Sequence, residues 1–118
     1  MATWIVHLRL AENLLEWIDG LDQACFALGS IAPDSGIPDE KRENFDPPPE
    51  VTHFRKDPER THPYADLEFY RRYLEPLNPR KEDPKRYAFL LGYFFHLITD
   101  NLWSTEIGGP AQERFAAE

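Results

Sequence analysis

Apolar positions fall into four helical stretches along the chain. The first covers about residues 3–18, with Trp4, Leu8, Leu15 and Ile18 on one side, and Gly20 breaks it. A second apolar segment, 21–31, ends at "SIAPD", where Pro33 stops helical hydrogen bonding. A third helix is predicted over about 65–74 ("YADLEFYRRYL"). A fourth, over about 85–103, is apolar on nearly every side and is therefore expected to be central. "GGP" at 108–110 ends it, and "AQERFAAE" reads as the start of a fifth.

Between the second and third helices the pattern changes. Residues 33–63 hold seven of the eleven prolines, which argues against regular helix or a central strand. Ile37, Phe45, Val51 and Phe54 within it predict an ordered segment packed onto the helices. The expected fold class is thus all-α, a compact bundle of four to five helices with a long, ordered, proline-rich loop. Residues 1–118 are expected to form one domain.

The fourth helix poses a chemical problem. No charged side chain occurs from Tyr87 to Thr99, yet His96 and Asp100 sit four residues apart. They share one helix face, and a carboxylate in so apolar a setting is costly unless something pairs with it. Ala88 and Gly92 continue the same stripe and leave room for an approaching group.

Composition narrows the possibilities. Twenty-one acidic residues against thirteen basic ones give a net charge of −8, which disfavours nucleic-acid backbones and anionic membrane surfaces. The same charge suits attraction of a divalent cation. A single cysteine, Cys25, excludes an internal disulfide and a cysteine-rich zinc site, and its apolar surroundings predict a buried structural thiol. The N-terminus lacks a signal-peptide pattern, and the longest apolar run falls short of the ~20 residues a membrane span needs. A cytoplasmic location is the default expectation.

Each remaining candidate has an ordinary reading. His7 lies mid-way along the first helix, Asp34 follows Pro33 in a turn, and His53 follows the triple proline in "VTHF". A half-buried histidine, a turn aspartate and a loop histidine would account for them singly; His62 has no comparable context. Together, Asp34, His53, His96 and Asp100 form an N/O donor set suited to zinc or a similar ion, with His7 available for a neighbouring one. Other metal hydrolase and oxygenase patterns fit poorly. No adjacent His-Asp pair and no H-E-x-x-H occurs; of the two E-x-x-H stretches, Glu50–His53 directly follows three prolines and Glu59–His62 lies between Pro58 and Pro63.

Four stretches in order, "TWIVHLRLAENLL", "FALGSIAPDSG", "VTHF" and "YAFLLGYFFHLITDNLW", resemble the zinc-dependent phospholipase C family. They match its early helix histidine, its G-x-x-x-P-D turn, its T-H-F segment and its L-G-Y-x-x-H-x-x-x-D helix. The resemblance spans about residues 4–103. It implies an all-helical fold with one to three zinc ions. Asp34, His53, His96 and Asp100 would surround one zinc, and Asp100 would bridge to a second that also binds His7. It implies hydrolysis of a small phosphodiester or phospholipid headgroup by a metal-activated water, with Asp34 as a candidate general base.

Three departures bear on activity. Met1 and two further residues precede Trp4, where secreted members use their N-terminal residue as a ligand. Glu106 stands where a histidine ligand is usual. The family also draws ligands from a later helix, so the expectation is a C-terminally truncated or reduced member with weak hydrolysis. The alternative is a non-catalytic, metal-stabilised helical module that binds a partner through some of its sixteen Phe, Tyr and Trp residues. Oligomeric state is left open.

Overall fold

The computed structural model describes residues 3–41, 44–54 and 64–108. Helix α1 spans Trp4–Trp17, and the chain turns away at Gly20, whose φ of 79° suits a residue without Cβ. Helix α2, Gln23–Ile31, is capped by Asp22, which accepts a hydrogen bond from the Cys25 amide at 2.9 Å. It runs into a 3₁₀ turn, Ala32–Asp34, with Pro33 buried.

A short antiparallel ribbon follows, pairing β1 (Ile37–Pro38) with β2 (Phe45–Asp46). One helical turn, α3, occupies Pro49–Thr52. This corrects the expectation that the proline-rich stretch excludes helix. A proline at the first helical position is tolerated, because its missing N–H would have had no partner there.

Helix α4, Asp66–Phe69, continues as π-helical turns through Leu74. Helix α5, Pro84–Leu102, is capped by Asp83, has proline in its first turn, and continues as π-helix to Gly108. The architecture is mostly helical, an all-α bundle. The fifth helix expected beyond Pro110 lies outside the described residues.

Helix α5 is central because both of its sides are covered. On one side Ala11 of α1 and Phe26 of α2 meet Ala88, with Leu14, Leu15, Leu21, Cys25 and Phe95 around them. On the other, Phe69 and Leu74 meet Leu97, flanked by Phe54, Tyr64, Tyr73 and Tyr93. The stripe Ala88–Gly92–His96–Asp100 is buried throughout. What approaches it is α2. A Cβ on Gly92 would overlap the Phe26 carbonyl, and one on Gly29 would overlap the Phe89 carbonyl. The two glycines let the helix backbones touch at adjacent points.

Two expectations about packing are corrected. The buried face of α1 carries His7 and Ala11, while Trp4 is 58% exposed, because α1 meets the bundle along the line from His7 to Leu14. Of Ile37, Phe45, Val51 and Phe54, only Phe54 packs onto the helices. Ile37, Phe45 and Val51 are 74%, 42% and 62% exposed, since the ribbon and α3 project outward. Residues 42–43 and 55–63, the rest of that stretch, lie outside the described residues.

Candidate metal centre

Five predicted residues converge where α1, α2 and α5 meet the end of α3. His7 comes from α1, Asp34 from the 3₁₀ turn after α2, His53 from just beyond α3, and His96 and Asp100 from α5. His7, His53, His96 and Asp100 are each no more than 2% exposed. The Asp34 side chain is 21% exposed, so it forms the open edge of the cluster.

Hydrogen bonds fix how the rings point. His96 Nδ1 lies 2.6 Å from the Ser30 carbonyl oxygen. A carbonyl can only accept, so Nδ1 carries the proton, and the neutral ring presents a bare lone pair at Nε2. That lone pair faces Asp100 Oδ2 at 3.1 Å, Asp34 Oδ1 at 3.7 Å and His53 Nε2 at 3.1 Å. His53 Nε2 in turn lies 3.0 Å from Asp34 Oδ1 and 3.4 Å from Asp100 Oδ2, while its Nδ1 meets the Thr52 hydroxyl at 3.1 Å. Electron-rich atoms aimed at one point call for positive charge between them.

The spacing indicates which charge fits. Zinc bonds of about 2.0–2.2 Å in a tetrahedral shell put neighbouring ligand atoms roughly 3.3–3.6 Å apart. The five separations above run from 3.0 to 3.7 Å. Two overlapping donor groups result, Asp34–His53–His96 and His7–His96–Asp100, each with its donor atoms within 4.8 Å of one another.

On the far side of Asp100, Oδ1 accepts from His7 Nε2 at 3.1 Å, and the His7 and His96 rings stack with centroids 3.6 Å apart. Burial would push the Asp100 carboxyl up, but the hydrogen bond that His7 Nε2 donates outweighs it. The group is held well below the usual carboxylate range.

The structure leaves some sequence candidates apart. Glu106 is exposed on the π-helical extension and belongs to neither donor group. Met1 and His62 lie outside the described residues. Cys25 is half-buried, packed against the core, and the Asp22 carboxylate beside it holds its thiol above the ordinary value. It takes no part in the site.

Sequence reasoning also missed supporting groups. Asn101, fully buried beside Asp100, accepts from the Tyr64 amide at 3.1 Å and donates to the Tyr64 carbonyl at 2.9 Å. An amide in the apolar run was a readable signal; its partner was not. The Tyr93 hydroxyl donates to the Thr52 carbonyl, and burial, with the charges of Tyr73 and Asp34, pushes its pKa up to about 12.

A model of the zinc-dependent phospholipase C family matches residues 6–103, nearly the whole of the described chain. The chain belongs to the zinc-dependent phospholipase C family. The comparison with curated proteins found no match, and neither did the comparison with solved structures. The matched span includes all five clustered residues of this phospholipase C family chain. No helix among the described residues is long and apolar enough to cross a membrane.

Proposed function

We propose that the chain holds zinc through Asp34 Oδ1, His53 Nε2, His96 Nε2 and Asp100 Oδ2, and hydrolyses a phosphodiester such as a phospholipid headgroup. The observation that carries this reading is the His96 lone pair, fixed by the Ser30 carbonyl and aimed at two carboxylates and a second imidazole. His7 and Asp100 Oδ1 would be the donors available to a second ion. The zinc dependence of the family supports the same reading.

Bound zinc would supply the positive charge that lowers the pKa of a water and stabilises charge on the phosphoryl oxygens. The protein's own groups do the rest. Buried Asp100 balances that charge and keeps both rings oriented. Asp34, the one donor open to solvent, accepts a proton from the attacking water. The water oxygen bonds to phosphorus, the bond to the leaving oxygen breaks, and that oxygen leaves as an alcohol once protonated from solvent.

The test is metal analysis of protein purified without chelator, beside hydrolysis of a chromogenic phosphodiester with and without added zinc. At least one zinc per chain and zinc-dependent turnover that Asp34→Asn removes are expected. A chain without metal whose melting temperature ignores both zinc and chelator would overturn the proposal. Bound zinc without turnover would instead support a metal-stabilised module.

A further inference from the structure

We infer that Phe54 is a positioning residue for His53, a ring wedge that holds the backbone in the one turn able to aim His53 Nε2 into the donor cluster. This rests on the metal-binding reading above and adds how one of its ligands is held.

The first observation is backbone geometry. Phe54 has φ of 53°, the one left-handed non-glycine residue among those described. For a bulky side chain that conformation is unfavourable, and it persists only where surrounding structure imposes it. It occurs directly after His53, which is 1% exposed.

Packing around the ring supplies the constraint. Phe54 meets Phe69, Tyr73 and Tyr93 edge-on, at centroid distances of 5.4, 6.1 and 6.3 Å and interplanar angles of 82°, 78° and 89°. Phe69 and Tyr93 stack on each other, 4.9 Å apart and 7° from parallel. The ring is therefore gripped from α4, its π-helical continuation and α5.

Hydrogen bonds lock the same turn. The Phe54 amide donates to Val51 O at 3.3 Å, and its carbonyl accepts from the Ala65 amide at 2.9 Å. The Tyr93 hydroxyl holds the Thr52 carbonyl, and the Thr52 hydroxyl meets His53 Nδ1. The gripped ring and the imidazole thus belong to neighbouring residues of one strained turn. Loss of the wedge frees the turn to relax to φ < 0, which swings His53 away from Asp34 and His96.

The test is zinc titration against a chromogenic chelator, with the visible spectrum of the cobalt-substituted protein, on Phe54→Leu, Phe54→Tyr and Leu74→Ala. Phe54→Leu keeps apolar bulk but loses the ring, and zinc affinity should fall about 10–100-fold, the usual effect of losing a ligand's support. The cobalt spectrum should change with it. Phe54→Tyr keeps the ring and should stay within about twofold of wild type. Leu74→Ala removes bulk from the same apolar cluster and should lower the melting temperature but leave the folded protein's zinc affinity and cobalt spectrum unchanged. If Phe54→Leu fails to fold, Phe54→Gly carries the test with the same expected loss, since glycine accepts this φ without strain but supplies no ring to hold the turn there.

Wild-type-like zinc affinity in Phe54→Leu, or equal losses in Phe54→Leu and Leu74→Ala, would overturn the inference and leave the metal site standing. Failure of the metal-binding reading looks different: wild type would bind no zinc, or His96→Ala would bind it unchanged, and the inference would fall with it.

Discussion

His7 Nε2 and Asp100 Oδ1 lie 3.1 Å apart although 93 positions separate them in the chain. Asp100 thereby uses one oxygen toward α1 and the other toward His53 and His96. On the proposed reading the two oxygens would serve two adjacent metal positions, the one beside His7 with fewer donors. His7→Ala should lower zinc per chain without abolishing it, whereas His96→Ala should remove zinc and lower the melting temperature, because metal binding contributes to folding free energy. Elemental analysis of the two variants decides; complete loss of zinc in His7→Ala would contradict the ordering.

The contact between α2 and α5 predicts a steric effect. Gly92→Ala places a methyl group against the Phe26 carbonyl and 2.9 Å from the Ser30 amide nitrogen, both backbone atoms. Helix propensity alone would favour alanine. Overpacking against backbone should win, costing about 1–3 kcal/mol in urea unfolding of metal-free protein. Because Ser30 also holds His96, zinc affinity should weaken too. A more stable Gly92→Ala would mean that the helices are not in contact there.

Asn101 links α5 to Tyr64 by two hydrogen bonds from one side chain. Asn101→Leu removes both bonds; the Tyr64 carbonyl keeps the Asp66 amide at 3.0 Å, so the cost falls on the amide side and should be about 1–3 kcal/mol. Asn101→Asp keeps the acceptor but loses the donor, and should fall between. Amide exchange at Tyr64 and Ala65 should quicken in both variants. Unchanged exchange would show that the clamp is not needed.

Tyr93 gives a pH dependence at the alkaline end. Burial, aided by the charges of Tyr73 and Asp34, raises its pKa to about 12, against about 10 for an unfolded tyrosine. The unfolded state loses this proton first, so the stabilisation is complete below about pH 10 and is lost as pH climbs toward 12. In an absorbance titration of phenolate, one of the five tyrosines should ionise late, and Tyr93→Phe should remove that step. Five tyrosines titrating together near pH 10 would refute it.

The sequence by itself determined the main helices and the donor residue types of the candidate site. Four helices follow from local apolar periodicity, and His96 with Asp100 from the shared face of one helix. The other donors were legible as residue types, matched in order to a family pattern. What only the tertiary structure decided is which atoms meet. That Ser30, 66 positions from His96, sets its tautomer, and that Asp100 divides its oxygens between His7 and the two other histidines, depend on how α1, α2 and α5 cross. So does the burial of His7 where the apolar pattern pointed to Trp4. Periodicity reports which side of a helix is apolar within a few residues; the depth at which two glycines let two helices meet is a property of both surfaces together. For the same reason Ile37 and Val51 read as core yet lie exposed, and Phe54, beside them in the sequence, is gripped by rings from two distant helices.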